Sequence, residues 1–148
     1  MKKLSTHPHL FFLAMIPICI ALAFIFSKDQ IVFEYFATYL VVESKYIYFF
    51  SAIFFGLISF NYFSLKWAEK PAITSLSLTH ILLQCASFIL LITRNHWSGL
   101  TSIENGNELN TSLYDNSSFI SFVAFLIFLL ATFIHLINFF TSLFRKSK

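Results

Sequence analysis

Charge is scarce in this sequence. Lysine, arginine, aspartate and glutamate together make up 11% of its 148 residues, against about 25% in an ordinary soluble domain. No polar stretch is long enough to fold as a separate soluble catalytic domain. Glycine and proline are scarcer still, three of each, which removes flexible linkers and low-complexity tracts. The two cysteines, Cys19 and Cys85, stand outside any C-x-x-C pattern and read as small apolar fillers. Motifs that carry chemistry are missing too. There is no H-E-x-x-H, no G-x-S-x-G, no glycine-rich phosphate loop and no basic stripe for nucleic acid. Nothing marks a small-molecule substrate site.

What fills the space is hydrocarbon. Hydrophobic residues make up 57% of the chain, with 21 phenylalanines and a mean hydropathy of +0.75. A spanning helix needs about 20 mostly apolar residues to cross roughly 30 Å of bilayer. Four stretches satisfy this: residues 10–26, 46–65, 74–93 and 118–144. The fold class expected is therefore all-α, a single polytopic domain of four transmembrane helices in contact with lipid. Pro17 predicts a kink in the first helix. That segment also has signal-peptide features, namely Lys2 and Lys3 before an apolar run ending in Ala21-Leu22-Ala23. Phe24-Ile25-Phe26 carries the apolar run past the supposed cut, so a retained helix is expected.

Orientation follows from the basic residues. With both termini inside, the inner segments hold Lys2, Lys3, Lys66, Lys70, Arg145, Lys146 and Lys148, and the outer ones only Lys28, Lys45 and Arg94. Seven against three selects N-in/C-in. Residues 66–73 form a short inner turn, which predicts that the second and third helices are antiparallel neighbours. Trp67 is expected at the membrane interface. Residues 94–117 form a polar outer loop with two sequon-like triplets, at Asn110 and Asn116.

Five histidines are the obvious candidate ligands. His80 and His135 lie at similar depth, about 9 Å inside the membrane at the usual helical rise. Two histidines at one level on facing helices are the pattern of a bis-histidine haem in a four-helix bundle. The plainer expectation is that each imidazole hydrogen-bonds across a helix interface, near Ser77, Thr79, Gln84 or Asn138. His7-Pro8-His9, just before the first helix, and His96-Trp97, at the outer end of the third, read as interfacial anchors. Glu43 and Lys45 read as an exposed ion pair of little energetic weight.

One stretch rises above composition. Residues 37–46, Ala-Thr-Tyr-Leu-Val-Val-Glu-Ser-Lys-Tyr, resemble the D-T-Y-[FY]-V-V-A-H-F-H block of haem-copper oxidase subunit I, which opens that family's tenth helix. Residues 50–57 and on to Tyr62 are similar to the continuation of that helix. Leu78-Thr79-His80 falls where the family has K-I-H, residues 118–123 resemble the S-[FY]-I-S segment opening helix twelve, and residues 27–36 resemble the linker before helix ten. The resemblance thus spans helices nine to twelve, and it implies the same N-in/C-in topology. It departs at the ligands. Ser44 and Tyr46 occupy the positions of the haem-ligating histidines, Phe36 and Ala37 those of the pair near the magnesium site, and the copper ligands lie on helices this sequence lacks. The expectation drawn is a non-catalytic, structural or accessory subunit of a larger membrane complex in a bacterial inner membrane. No cofactor, metal or catalytic residue is assigned. The alternative is a small haem protein using His80 and His135. A pore or transporter has less support, because almost no charge lies within the spans.

Overall fold

Four helices and one β-hairpin make up the described chain. The computed structural model describes residues 7–35, 38–97 and 116–145. In chain order these are α1 (Pro8–Ile25), β1 (Gln30–Tyr35), β2 (Thr38–Glu43), α2 (Ser44–Trp67), α3 (Thr74–Trp97) and α4 (Asn116–Phe144). All four helices are long and apolar enough to cross a membrane. The protein is a multi-pass, essentially all-α membrane protein, as expected. The predicted outer loop lies almost entirely outside the described residues, including the sequon-like triplet at Asn110, as do Lys2, Lys3, Lys146 and Lys148. The triplet at Asn116 is instead the first turn of α4.

Five helix limits lie two to four residues outside the expected ones, two coincide with them, and α1 ends one residue short. Ser44, Lys45, Lys66, Trp67 and Arg94 are polar or amphipathic, so hydropathy stops short of them, yet their backbone stays helical. α1 begins with Pro8 in its first turn, where the missing N–H has no helical partner to lose. It runs on through Pro17, so the proline does not divide it into two helices. The Phe26 N–H closes its end on the Leu22 carbonyl at 2.9 Å.

α2 ends in a Schellman turn. The Lys70 N–H reaches back to the Leu65 carbonyl at 3.0 Å, and the Glu69 N–H to Lys66 at 3.1 Å. The motif puts Glu69 in the left-handed region, with φ at 58°, where glycine is usual.

The hairpin is a departure from the sequence reading. β1 and β2 pair antiparallel from Gln30↔Glu43 to Tyr35↔Thr38, with Phe36 and Ala37 between them outside the described residues. Most of the block whose resemblance implied a helix opening is therefore an extended strand, and the helix starts at Ser44. The hairpin leans on α4 and buries Ile31 to 1% exposure.

The helices pack as two close pairs, α1 with α2 and α3 with α4. Backbones of α2 and α3 stand further apart than the short turn between them suggests. Their meeting is through rings, with Phe55 and Tyr48 each about 6 Å from Phe88. Direction alternates along the chain. Ser59 near the end of α2 donates to the His9 carbonyl at the start of α1, and Arg94 near the end of α3 donates to Ser44 at the start of α2. One end of the bundle thus carries the hairpin and the other the α2–α3 turn.

Candidate functional site

The face of α3 turned toward α4 is polar along its whole length. Ser77, His80, Gln84, Ser87 and Arg94 are all buried, and with Leu91 they recur every three or four residues. That is the spacing of a coiled-coil seam. α4 answers with the same spacing: Ser121, Ala124, Phe128, Ala131, His135, Asn138 and Ser142, all but Phe128 fully buried. Small and hydroxylated side chains let membrane helices approach closely, and amides and imidazoles supply cross-helix hydrogen bonds. Spacing of the histidines alone did not expose this seam. Read together with the serines, Gln84 and Asn138, the three–four rhythm is visible in the sequence.

Near the turn end, Asn138 ties the two helices together. Its Oδ1 accepts the Ile73 N–H at 2.9 Å, and its Nδ2 donates to Ser77 Oγ at 2.9 Å. Ile73 immediately precedes α3 and has no polar side chain of its own, so Asn138 acts as the helix cap from across the interface. Toward the hairpin end, Ser87 Oγ donates to the Ala124 carbonyl at 2.7 Å.

His80 and His135 meet at the centre, as the sequence predicted by depth. Each of the four helices contributes one ring. Phe12 stacks on His80 at 4.8 Å between centroids, and His80 stacks on His135 at 4.9 Å with 29° between planes. Tyr62 stands 4.8 Å from His135, and its hydroxyl hydrogen-bonds to His80 Nδ1 at 3.0 Å. Asn61 Nδ2 lies 3.3 Å from His135 Nε2.

That geometry does not fit a bis-histidine haem. Axial imidazoles must aim lone pairs at one iron from opposite sides, each about 2 Å away. Here the imidazoles present faces to each other, and no porphyrin can pass between rings 4.9 Å apart. Among the described residues no group of three or more histidine, cysteine, aspartate or glutamate side chains is placed to hold a metal.

Part of the polar centre is unfinished. His80 Nε2, His135 Nδ1 and both amide atoms of Gln84 are buried without a hydrogen-bond partner. Gln84 follows His80 by one helical turn, so these atoms belong to one neighbourhood.

Arg94 is the polar residue the sequence reading misplaced. Expected at the head of the outer loop, it lies within α3 and is 2% exposed. Its guanidinium donates to the Leu91 carbonyl at 2.9 Å and to Ser44 Oγ at 3.1 Å, and it stands 3.7 Å from Asp29 Oδ2. The Ser44 N–H in turn donates to the Asp29 carbonyl at 2.8 Å. One charge therefore joins the end of α1, the start of α2 and the end of α3. The continued seam spacing and Asp29, the first acid after α1, are the signals the sequence offers. Ser44, which the resemblance sets at a ligand position, is occupied in this joint. Tyr46, at the other, is 57% exposed.

The remaining candidates sit at the ends. His7-Pro8-His9 is not wholly outside the first helix, since α1 starts at Pro8; His9 packs edge-on against Phe63 at 6.2 Å. Glu43 and Lys45 form the expected surface ion pair, and Lys45 also lies 4.9 Å over the Tyr46 ring. Both cysteines are free thiols. Helical backbone extends through Trp97, while the side chains of His96 and Trp97 fall outside the described ones. No family model, no curated protein and no solved structure matches this chain.

Proposed function

We propose that this protein is a non-catalytic, accessory subunit of a larger membrane complex, and that it docks a partner helix on the outer face of α3. One observation carries the reading. The outward faces of α2 and α4 are covered by large apolar side chains such as Phe50, Leu57, Phe60, Leu129 and Phe133, which suit lipid. The outward face of α3 is different, with Ser75, Thr79 and Ala86 exposed beside Leu82 and Ile89. The Thr79 hydroxyl is satisfied by the Ser75 carbonyl at 3.1 Å, leaving a smooth surface. Small and hydroxylated residues are what membrane helix–helix interfaces are made of.

Descent from the last four helices of an oxidase subunit I belongs to the same reading. Its support is the order and spacing of the resembling blocks. The structural employment of Ser44 agrees with loss of the ligand role. We place the protein in a bacterial inner membrane with both termini inside. Lys66, Lys70 and Arg145 all lie at the turn end, and Arg94 at the other end is withdrawn from the surface, which sharpens the charge asymmetry.

The test is purification of the tagged native protein in mild detergent, with co-purifying chains and the visible spectrum recorded together. A reproducible partner that is lost in Ala86→Phe, but kept in Ile53→Phe on the α2 face, supports the proposal. Indifference of the partner set to both changes defeats it. A stoichiometric Soret band would instead require the central rings to rearrange into a haem site.

A further inference from the structure

We infer that the crevice between α2 and α4 at the turn end holds an acyl chain of an anionic phospholipid, with the phosphate received by Lys66, Lys70 and Arg145. This inference is independent of the accessory-subunit reading.

α2 and α4 touch only at intervals. Phe54 meets Phe128 at 4.9 Å between centroids, and Tyr62 and Asn61 meet His135. Beyond that last contact the two helices leave a crevice of about 410 Å³, lined by Phe60, Phe63 and Ser64 on α2, Trp67 at its mouth, and Phe139 and Leu143 on α4. The lining is almost wholly apolar. Ser64, its one hydroxyl among these, is spent on the Phe60 carbonyl at 2.9 Å. Water gains nothing there, because a bound water needs two or more polar partners. A second helix is too thick, at about 10 Å across with side chains. A hydrocarbon chain from the surrounding bilayer fits both the chemistry and the scale.

The rim selects the headgroup. Lys66 lies between two lining residues, Leu65 and Trp67. Lys70 Nζ donates to the carbonyl of Leu143, itself in the lining, at 2.6 Å, which fixes a cation at the mouth. Arg145 follows two residues later, just past the end of α4. Glu69 is the one acid among the described residues of this end. Trp67, 82% exposed, has the amphipathic ring that settles at headgroup level. Basic clusters beside gaps between transmembrane helices are the general form of an anionic-lipid site.

The experiment is native mass spectrometry of the full chain in mixed micelles. Phosphatidylglycerol is compared with phosphatidylcholine of identical acyl chains, and helix content is checked by circular dichroism. The expected result is preferential retention of phosphatidylglycerol by about tenfold or more. The pair Lys66→Gln and Arg145→Gln, both at exposed positions, should erase the preference and leave weak, headgroup-blind retention. Ser64→Phe, which fills the crevice, should remove retention of both lipids. Equal retention of the two lipids by the native chain overturns the proposal. So does retention that survives Ser64→Phe, which would mean charge attraction without a seated chain. Displacement of the lipid by inorganic phosphate alone overturns it as well. A photo-crosslinker at Ser64 should capture lipid in native membranes; capture of a protein chain there would assign the crevice to a partner instead.

Discussion

Gln84 is the side chain whose chemistry is most at odds with its surroundings. It is 2% exposed and neither of its amide atoms finds a partner. A buried polar group without hydrogen bonds costs about 1–3 kcal/mol. Gln84→Met keeps the volume and removes both orphans, so thermal unfolding in detergent should show a gain of about 1 kcal/mol or more. A loss would mean that the amide is satisfied in the membrane by something bound beside the histidines. Asn138 is the opposite case. Asn138→Leu strands the Ile73 N–H and the Ser77 hydroxyl together, and stability should fall by about 2 kcal/mol in the same assay. These two amides look alike in the sequence. What distinguishes them is whether the facing helix offers a group at that level, and composition carries no such information.

At the scale of elements, the α2–α3 turn is built well and filled imperfectly. Its hydrogen bonds are those of a Schellman motif, but the left-handed position holds Glu69. A side chain there costs roughly 1 kcal/mol. Glu69→Gly should therefore raise the unfolding midpoint by about that amount in free energy. An unchanged midpoint would mean that the charge or side chain of Glu69 compensates for its own strain. The spans themselves were legible, because length and hydropathy suffice to define a membrane helix. Their ends were not, since interfacial residues such as Lys45 and Trp67 are polar and helical at once. The hairpin was hidden for another reason. Short hairpins announce themselves through Asn-Gly or Gly-rich turns, and the residues between β1 and β2 are Phe36 and Ala37. Its strands are apolar enough to pass for the approach to a helix.

For the whole molecule, the histidines show what depth can and cannot predict. Counting residues from the helix ends put His80 and His135 at one level, and the structure joins them. Counting could not say whether they present edges or faces. Stacking follows from Phe12 and Tyr62 crowding the same layer, and those rings belong to helices that the histidine pattern does not mention. Arg94 was misplaced because an arginine beside a polar loop looks like the loop's first residue. Its real partner, Asp29, is 65 positions away in sequence.

The polar seam also bears on how this protein enters the bilayer. α3 emerges from the ribosome before α4, bearing Ser77, His80, Gln84, Ser87 and Arg94 along one side. The partners of Arg94 and His80 (Asp29, Ser44 and Tyr62) precede it, whereas Ser77 and Ser87 wait for Asn138 and the Ala124 carbonyl of α4. An arginine or another charged group near the middle of a span costs about 2.5–3.5 kcal/mol at the translocon, and less toward the ends. α4 is the most apolar of the four spans and supplies the seam's other half. The two should therefore partition as one helical hairpin, the second carrying in the first. With a glycosylation tag placed after residue 97, a nascent chain stopped there should leave α3 only partly inserted, and extension through Phe144 should restore full insertion. Biogenesis would then proceed in two strokes, α1 with α2 and afterwards α3 with α4, the same pairing that the finished bundle preserves.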